Sequence, residues 1–223
     1  MDRKLFAQAM IKFLAGIVLV GALLFIPAGT LAWPQGWLLM GILFIPMFIA
    51  GLVRMAKNPA LLRSRLNAKE KEREQSLVVK LSGLMFLVGF ILAGLSFRFG
   101  WWTLPRWVSI LGAMLFLLSY ALYAEVLREN TWLSRTIEVQ EGQTVVSTGL
   151  YGVVRHPMYA VTLVLFLSMP LVLGSGLAFL VFLAYPFIIV KRLLNEEEVL
   201  SRELNGYTAY MQKVKWRLIP FVW

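Results

Sequence analysis

Four long, predominantly apolar stretches decide what this chain can fold into: residues 13–30, 37–53, 77–97 and 107–127. Crossing a 30 Å hydrocarbon core as a helix takes about 20 apolar residues. Lipid tolerates only elements that satisfy their own backbone polar groups. These stretches therefore read as transmembrane α-helices. The whole chain agrees, being 59% hydrophobic with a mean hydropathy of +0.73, more apolar surface than a soluble domain of this size requires. Trp33, Trp37, Trp101, Trp102 and Trp107 fall at the ends of the stretches, the places interfacial aromatics occupy. Gly83, Gly89 and Gly94 are expected to let helices approach closely.

Two further apolar segments, 158–173 and 177–190, are shorter and are joined by Gly174-Ser175-Gly176. At 1.5 Å per residue they reach roughly 24 and 21 Å. They predict a C-terminal helical hairpin that crosses a locally thinned membrane or is sheltered by its neighbours. The fold class is thus all-α integral membrane, with five to six transmembrane helices and a C-terminal tail. Residues 1–127 form the N-terminal transmembrane region and 128–223 a second region. Whether or not the hairpin crosses, the N-terminus, the 54–76 and 128–155 loops and the tail share one side. The basic residues crowd there, with Arg98 and Arg106 left on the other. By the positive-inside rule that side is cytoplasmic. The net charge of +10 is therefore a topology signal and no footprint of nucleic acid. The run at 69–74 reads as a solvated helical face. Arg3, Lys4 and Lys12 precede the first span without a cleavage site leading to a soluble domain, so it reads as retained. The tail's early part has helical spacing. Tyr207, Tyr210, Trp216 and Trp223 suit a segment lying at the interface or folded back over the loop before Arg155.

Chemistry concentrates in two polar clusters that flank the hairpin. The first is Arg155-His156-Pro157-Met158-Tyr159, with the only histidine; the second is Arg192-Leu193-Leu194-Asn195-Glu196-Glu197. A residue before proline avoids the helical region and proline favours the first helical position. His156 is then the cap of a helix starting at Pro157, whose free N–H groups and dipole make an anion site beside Arg155. The alternative is a plain helix start with a snorkelling arginine. Arg192 and Glu196 are spaced to pair along a helix, as are Glu198 and Arg202. For Glu198 and Arg202 a local pair is the whole reading. Charged groups at membrane depth are functional suspects, and an Arg and a His near two carboxylates match a zwitterion such as an amino acid moiety. Glu125, inside a span with Tyr120 and Tyr123, reaches the interface or faces the site. With no cysteine and one histidine, no metal, haem or disulfide site is expected. No phosphate loop or dinucleotide fingerprint is present.

Residues 148–159, Thr-Gly-Leu-Tyr-Gly-Val-Val-Arg-His-Pro-Met-Tyr, resemble the signature of the isoprenylcysteine carboxyl methyltransferase family, itself similar to phospholipid methyltransferases. The resemblance extends through Arg192, Glu196-Glu197, Tyr207, Tyr210, Arg217 and Ile219-Pro220, and covers roughly residues 130–223. Leu150 departs from the family's proline, Ala160 from a frequent glycine, and the tyrosine pair sits one residue closer to the glutamates. The resemblance implies S-adenosylmethionine as methyl donor. Arg155, His156 and the Pro157 helix start would take its carboxylate, Glu196 and Glu197 its ammonium or ribose, and Tyr151 and Tyr159 would line its pocket. A lipophilic acceptor would enter from the bilayer among membrane lipids. An acceptor carboxylate needs a cation, Arg192 or Arg217; an acceptor amine needs a base, a glutamate such as Glu196. The family likeness favours carboxyl O-methylation. Lipid amine methylation, an NADPH-dependent membrane reductase and a non-enzymatic protein are the competing readings. The small size points to a prokaryotic inner membrane, with the site on the cytoplasmic side.

Overall fold

A computed structural model describes residues 3–57, 73–133 and 139–223. All regular elements among them are helical. The four long apolar stretches become α1 (Arg3–Ala28), α2 (Pro34–Lys57), α3 (Arg73–Phe99) and α4 (Arg106–Glu129). Each has at least 24 residues, about 36 Å of helix and enough to span. They exceed the apolar stretches because polar residues at the ends continue the helix past the hydrocarbon core. The charged run at 69–74 lies outside the described residues apart from the backbone of Arg73 and Glu74, where α3 begins.

The hairpin is asymmetric. Its first arm, α5 (Pro157–Val172), has 16 residues. Its second arm is α6 (Gly176–Phe182) followed by α7 (Ala184–Glu203), a kinked rod of 28 residues that is long and apolar enough to span. The kink at Leu183 has a local cause. Pro186 has no N–H to offer the carbonyl one turn back, and the ladder breaks there. The arm expected at 177–190 is thus longer than its apolar composition showed, because α7 carries the Arg192–Glu197 cluster on the same rod. At the tip, Gly174 adopts φ +70 and the Ser175 side chain caps α6 by accepting from Ala178 N at 3.2 Å. The tip is stitched to the α3–α4 connection by Leu104 N to Gly174 O at 2.8 Å and Gly176 N to Trp102 O at 3.0 Å. The hairpin therefore reaches the level where α3 ends and α4 begins.

Helix approach in lipid depends on small residues, since apolar contact with a neighbouring helix gains little over contact with lipid tails. A Cβ on Gly94 would press on the Leu24 carbonyl, one on Gly89 would overlap the Phe182 ring, and one on Gly112 would meet the α5 backbone at Val172. Gly83, expected to act likewise, has nothing within 4 Å and faces outward. Trp33 also departs from expectation. It is fully buried, stacked on Phe97 at 5.0 Å and edge-on to Phe25 at 6.1 Å, so it is a core residue. Trp37, Trp101, Trp102 and Trp107 stay exposed, as interfacial residues do. The core runs from Leu24, Leu39 and Ala93 through Phe116, Val172 and Phe182 to Leu193. Val18, Ile45, Leu84 and Leu118 point outward, the arrangement lipid contact demands.

These packings fix which ends lie together. Ala28, Gly94, Ser96, Ser109 and Gly174 gather at one end. The starts of α1, α3 and α5 and the ends of α2, α4 and α7 are therefore at the other, which carries both polar clusters.

Candidate functional site

The turn before α5 is built by its own sequence. Gly149, at φ +51, opens a 3-10 turn over Gly149–Gly152. Its missing side chain makes room for the carboxylate of Glu129, which accepts from the Thr148 hydroxyl at 2.7 Å. The chain leaves this turn through Val154 to His156, which caps α5 at φ −124 and ψ 61 with Pro157 in the first turn. The cap position and the proline start are as the sequence predicts.

The tail folds back onto this cap. Arg155 N donates to Trp216 O at 2.8 Å and His156 N to Arg217 O at 2.9 Å. The Arg155 guanidinium reaches the Val214 and Lys215 carbonyls at 2.9 and 3.0 Å, and the Tyr210 hydroxyl donates to Tyr151 O at 2.7 Å. Of the two placements left open for the tail, the structure adopts the one over the loop. Gly206, at φ +84, turns the chain between α7 and α8 (Tyr207–Lys213) so that Tyr207 and Tyr210 point inward.

The two clusters, some forty residues apart in sequence, meet. Glu197 is buried and takes Arg155 Nε at 2.6 Å and His156 Nε2 at 3.2 Å on one oxygen, and Arg217 Nε at 2.8 Å on the other. A carboxylate buried this deeply persists only when paired and hydrogen-bonded, and three partners provide for it. One helical step earlier, Glu196 faces the other way. It accepts from the Tyr159 hydroxyl, to which Arg192 Nε also donates at 3.1 Å. His156 stacks over Tyr159 with 5.7 Å between rings.

Beside this pair opens a cleft between the start of α5, the end of α7 and α8. Arg155, His156, Tyr159, Arg192 and Glu196 line its polar side; Tyr151, Leu200, Leu204, Tyr207 and Tyr210 line the other. Among the described residues the buried Tyr207 hydroxyl has no hydrogen-bond partner. Burial raises the phenols of Tyr151, Tyr207 and Tyr210 well above their ordinary range, so they present neutral hydroxyls.

Two sequence expectations change with this geometry. Glu197 and Arg217, expected to touch ligand, do not line the cleft; they engage each other and the Arg155–His156 pair behind it. Pro157, expected at the donor, is fully buried and shapes the helix start only. Arg192 Nε donates to the Tyr159 hydroxyl, which donates to Glu196, so the two residues spaced to pair along α7 belong to one linked group with Tyr159. Glu125 is held by Arg128 at 2.6 and 2.8 Å on the exposed helix surface, the local alternative of its two readings. Arg202 pairs with its neighbour Glu203 at 2.6 Å. Sequence reasoning missed the wall formed by Asn130, Trp132 and Gln143–Val146 and the Glu129–Thr148 tie. The Thr148-Gly149 pair beside a polar helix end was the available signal for that tie. Among the described residues no group of three metal-ligating side chains occurs.

Residues 107–205 match the family model of the phospholipid methyltransferases. The match takes in α4, which the motif resemblance had left aside, and stops short of α8. The chain is also similar in structure to a eukaryotic intramembrane Ras methyltransferase (isoprenylcysteine carboxyl methyltransferase, without a monobody). That likeness covers 92% of this chain and 74% of the other, with a TM-score of 0.56 and 19% identity. At that identity it shows a shared fold. A search of curated protein sequences gives no match. The chain thus carries a membrane methyltransferase family pattern on an isoprenylcysteine methyltransferase-like membrane fold.

Proposed function

We propose that this integral membrane protein transfers a methyl group from S-adenosylmethionine to a lipophilic acceptor at the membrane surface. The observation that carries the reading is the cleft beside Tyr159, Glu196 and Arg192. A carboxylate and cationic groups face a wall of tyrosines and leucines, two of whose hydroxyls, those of Tyr151 and Tyr207, make no hydrogen bond among the described residues. This donor set fits a zwitterionic nucleoside in charge. When bound, the donor supplies a methyl group already activated by its sulfonium.

The chain's own residues supply position and shelter. Glu196 would hold the ammonium, and Arg155 and His156 the carboxylate. Tyr151, Tyr159, Tyr207 and Tyr210 enclose the rest and exclude water. Glu197 and Arg217 act as positioning residues, since they hold Arg155 and His156 from behind. Arg192 orients an anionic acceptor that arrives along the bilayer. A carboxylate acceptor is ionised at neutral pH and needs no base, so the isoprenylcysteine-like carboxylate is the preferred acceptor. The phospholipid methyltransferase match favours a second reading, a lipid amine. There Glu196 is the group placed to accept the amine's proton. The basic residues at the site end support a cleft that opens on the cytoplasmic side, by the positive-inside rule.

Titration calorimetry in nanodiscs tests the donor. Parent protein should bind S-adenosylmethionine and ignore NADPH, and Glu196→Gln should weaken binding at least tenfold, about 1.4 kcal/mol. Unchanged affinity in Glu196→Gln removes the assignment. Labelled donor offered with prenylated thiol-acids and with phosphatidylethanolamine separates the two acceptors.

A further inference from the structure

We infer that the turn at residues 219–223 is a wedge inserted into the acidic-lipid leaflet on the site side, and that it anchors the segment covering the cleft. Four observations converge on it. First, its position is fixed at the membrane boundary. Trp216 and Arg217 carbonyls hold the backbone of Arg155 and His156, one residue before α5 enters the apolar layer. Leu218 is buried in the same core cluster as the spanning helices, with Trp223 packed against it. Second, the remaining side chains of the turn point away from that core. Phe221 is 86% exposed, Val222 71% and Ile219 47%, a contiguous apolar tip of the kind that marks an interaction surface.

Third, the tip is held rigidly in a conformation its sequence does not favour. Phe221 sits at φ +65, a region costly for a bulky residue. The turn is closed around it by Val222 N and Trp223 N donating to Ile219 O at 3.1 Å each, and by Arg217, Leu218 and Ile219 N–H groups donating to Trp223 O at 2.9–3.1 Å. The Arg217 guanidinium lies 5.0 Å from the centre of the Trp223 ring. A left-handed phenylalanine at an exposed tip is aimed outward. Fourth, Lys213 and Lys215, immediately upstream, are exposed and supply the positive charge that acidic headgroups attract. Apolar tip, basic shoulder and boundary position together match the chemistry of an anionic lipid surface.

The test is independent of any methyl transfer. The chain has no cysteine, so Phe221→Cys and Lys213→Cys each take a single nitroxide. In nanodiscs of phosphatidylcholine mixed with phosphatidylglycerol, power saturation should find the label at position 221 more accessible to oxygen than to a water-soluble nickel chelate. Its depth should be about 5–10 Å below the headgroups. The label at position 213 should show the reverse. Depth at 221 should decrease in phosphatidylcholine alone. A label at 221 as open to the nickel chelate as that at 213 overturns the proposal, and equal depth in both lipid mixtures overturns its charge component. Spin–spin broadening that disappears on dilution with unlabelled protein would assign the tip to a second copy of the chain and overturn the lipid reading. Val222→Cys carries the same test if Phe221→Cys fails to fold.

Discussion

Replacing Glu197 by glutamine keeps the shape of the side chain and deletes its charge, so it isolates what the buried carboxylate contributes. Arg155 lies 2.6 Å from it with only 6% of its side chain exposed, and Arg217 lies 2.8 Å from it at 30% exposure. With an effective dielectric of about 20 and charge centres about 4 Å apart, each pair is worth about 4 kcal/mol. The Arg217 pair, partly open to solvent, counts for roughly half of that. The gross loss is then about 6 kcal/mol. Glutamine returns about 2 kcal/mol through its own hydrogen bonds and the avoided cost of burying a carboxylate. The net of about 4 kcal/mol falls in the range found when one partner of a buried pair is removed. For a chain of this size that lowers the unfolding temperature by roughly 8–16 °C. Intrinsic tryptophan fluorescence in nanodiscs reads it. Glu196→Gln, whose carboxylate faces the cleft, should unfold within about 2 °C of the parent by the same reasoning. A double-mutant cycle of Glu197→Gln with Arg155→Met should show coupling of about 2 kcal/mol or more, because the second change removes the stranded cation. Strict additivity, or a Glu197→Gln protein as stable as the parent, would refute the account of Glu197 as the anchor of the site.

Other consequences are equally direct. Gly149→Ala puts a Cβ on the Glu129 carboxylate at a backbone angle that favours glycine, and should cost about 2–3 kcal/mol in the same unfolding assay. Adding Glu129→Ala should restore the steric part and leave about 1 kcal/mol of backbone cost; no restoration would mean the overlap does not matter. Gly89→Ala should destabilise by about 1–3 kcal/mol through the Phe182 ring, whereas Gly83→Ala should be neutral or slightly stabilising. Equal effects at the two positions would contradict the helix packing. Glu198→Gln, on the exposed face of α7, should bind S-adenosylmethionine as the parent does. Loss of binding there would show that the acidic run is read in the wrong register.

The spans were legible because lipid imposes one rule on them, length with apolarity, and residues 13–30 or 107–127 satisfy it without reference to any partner. Their ends were not, since Arg73 and Glu129 are polar and extend helices that hydropathy alone stops short. The Pro157 start was legible from local sterics at His156. Convergence of Arg155, His156 and the glutamates was also expected, because one helical rod carries the acids back to the end where the first cluster lies. Which acid lines the cleft was not legible. Glu196 and Glu197 differ by one helical step, and only the position of Arg217, delivered by a tail turn at Gly206, shows that Glu197 is taken. Trp33 looked like its interfacial neighbours, and only the stacked Phe97 identifies it as core. The glycines divide for the same reason, since Gly83 and Gly89 have similar surroundings in sequence and different neighbours in space.

The bonds from Trp216 and Arg217 to the cap of α5 make one end of the bundle depend on the tail. Residues 214–217 close on Arg155 and His156 from a distant part of the chain, so the start of α5 takes its full set of bonds only when both segments are in place. Any motion that separates the tail from the start of α5 therefore removes the support behind Arg155 and His156.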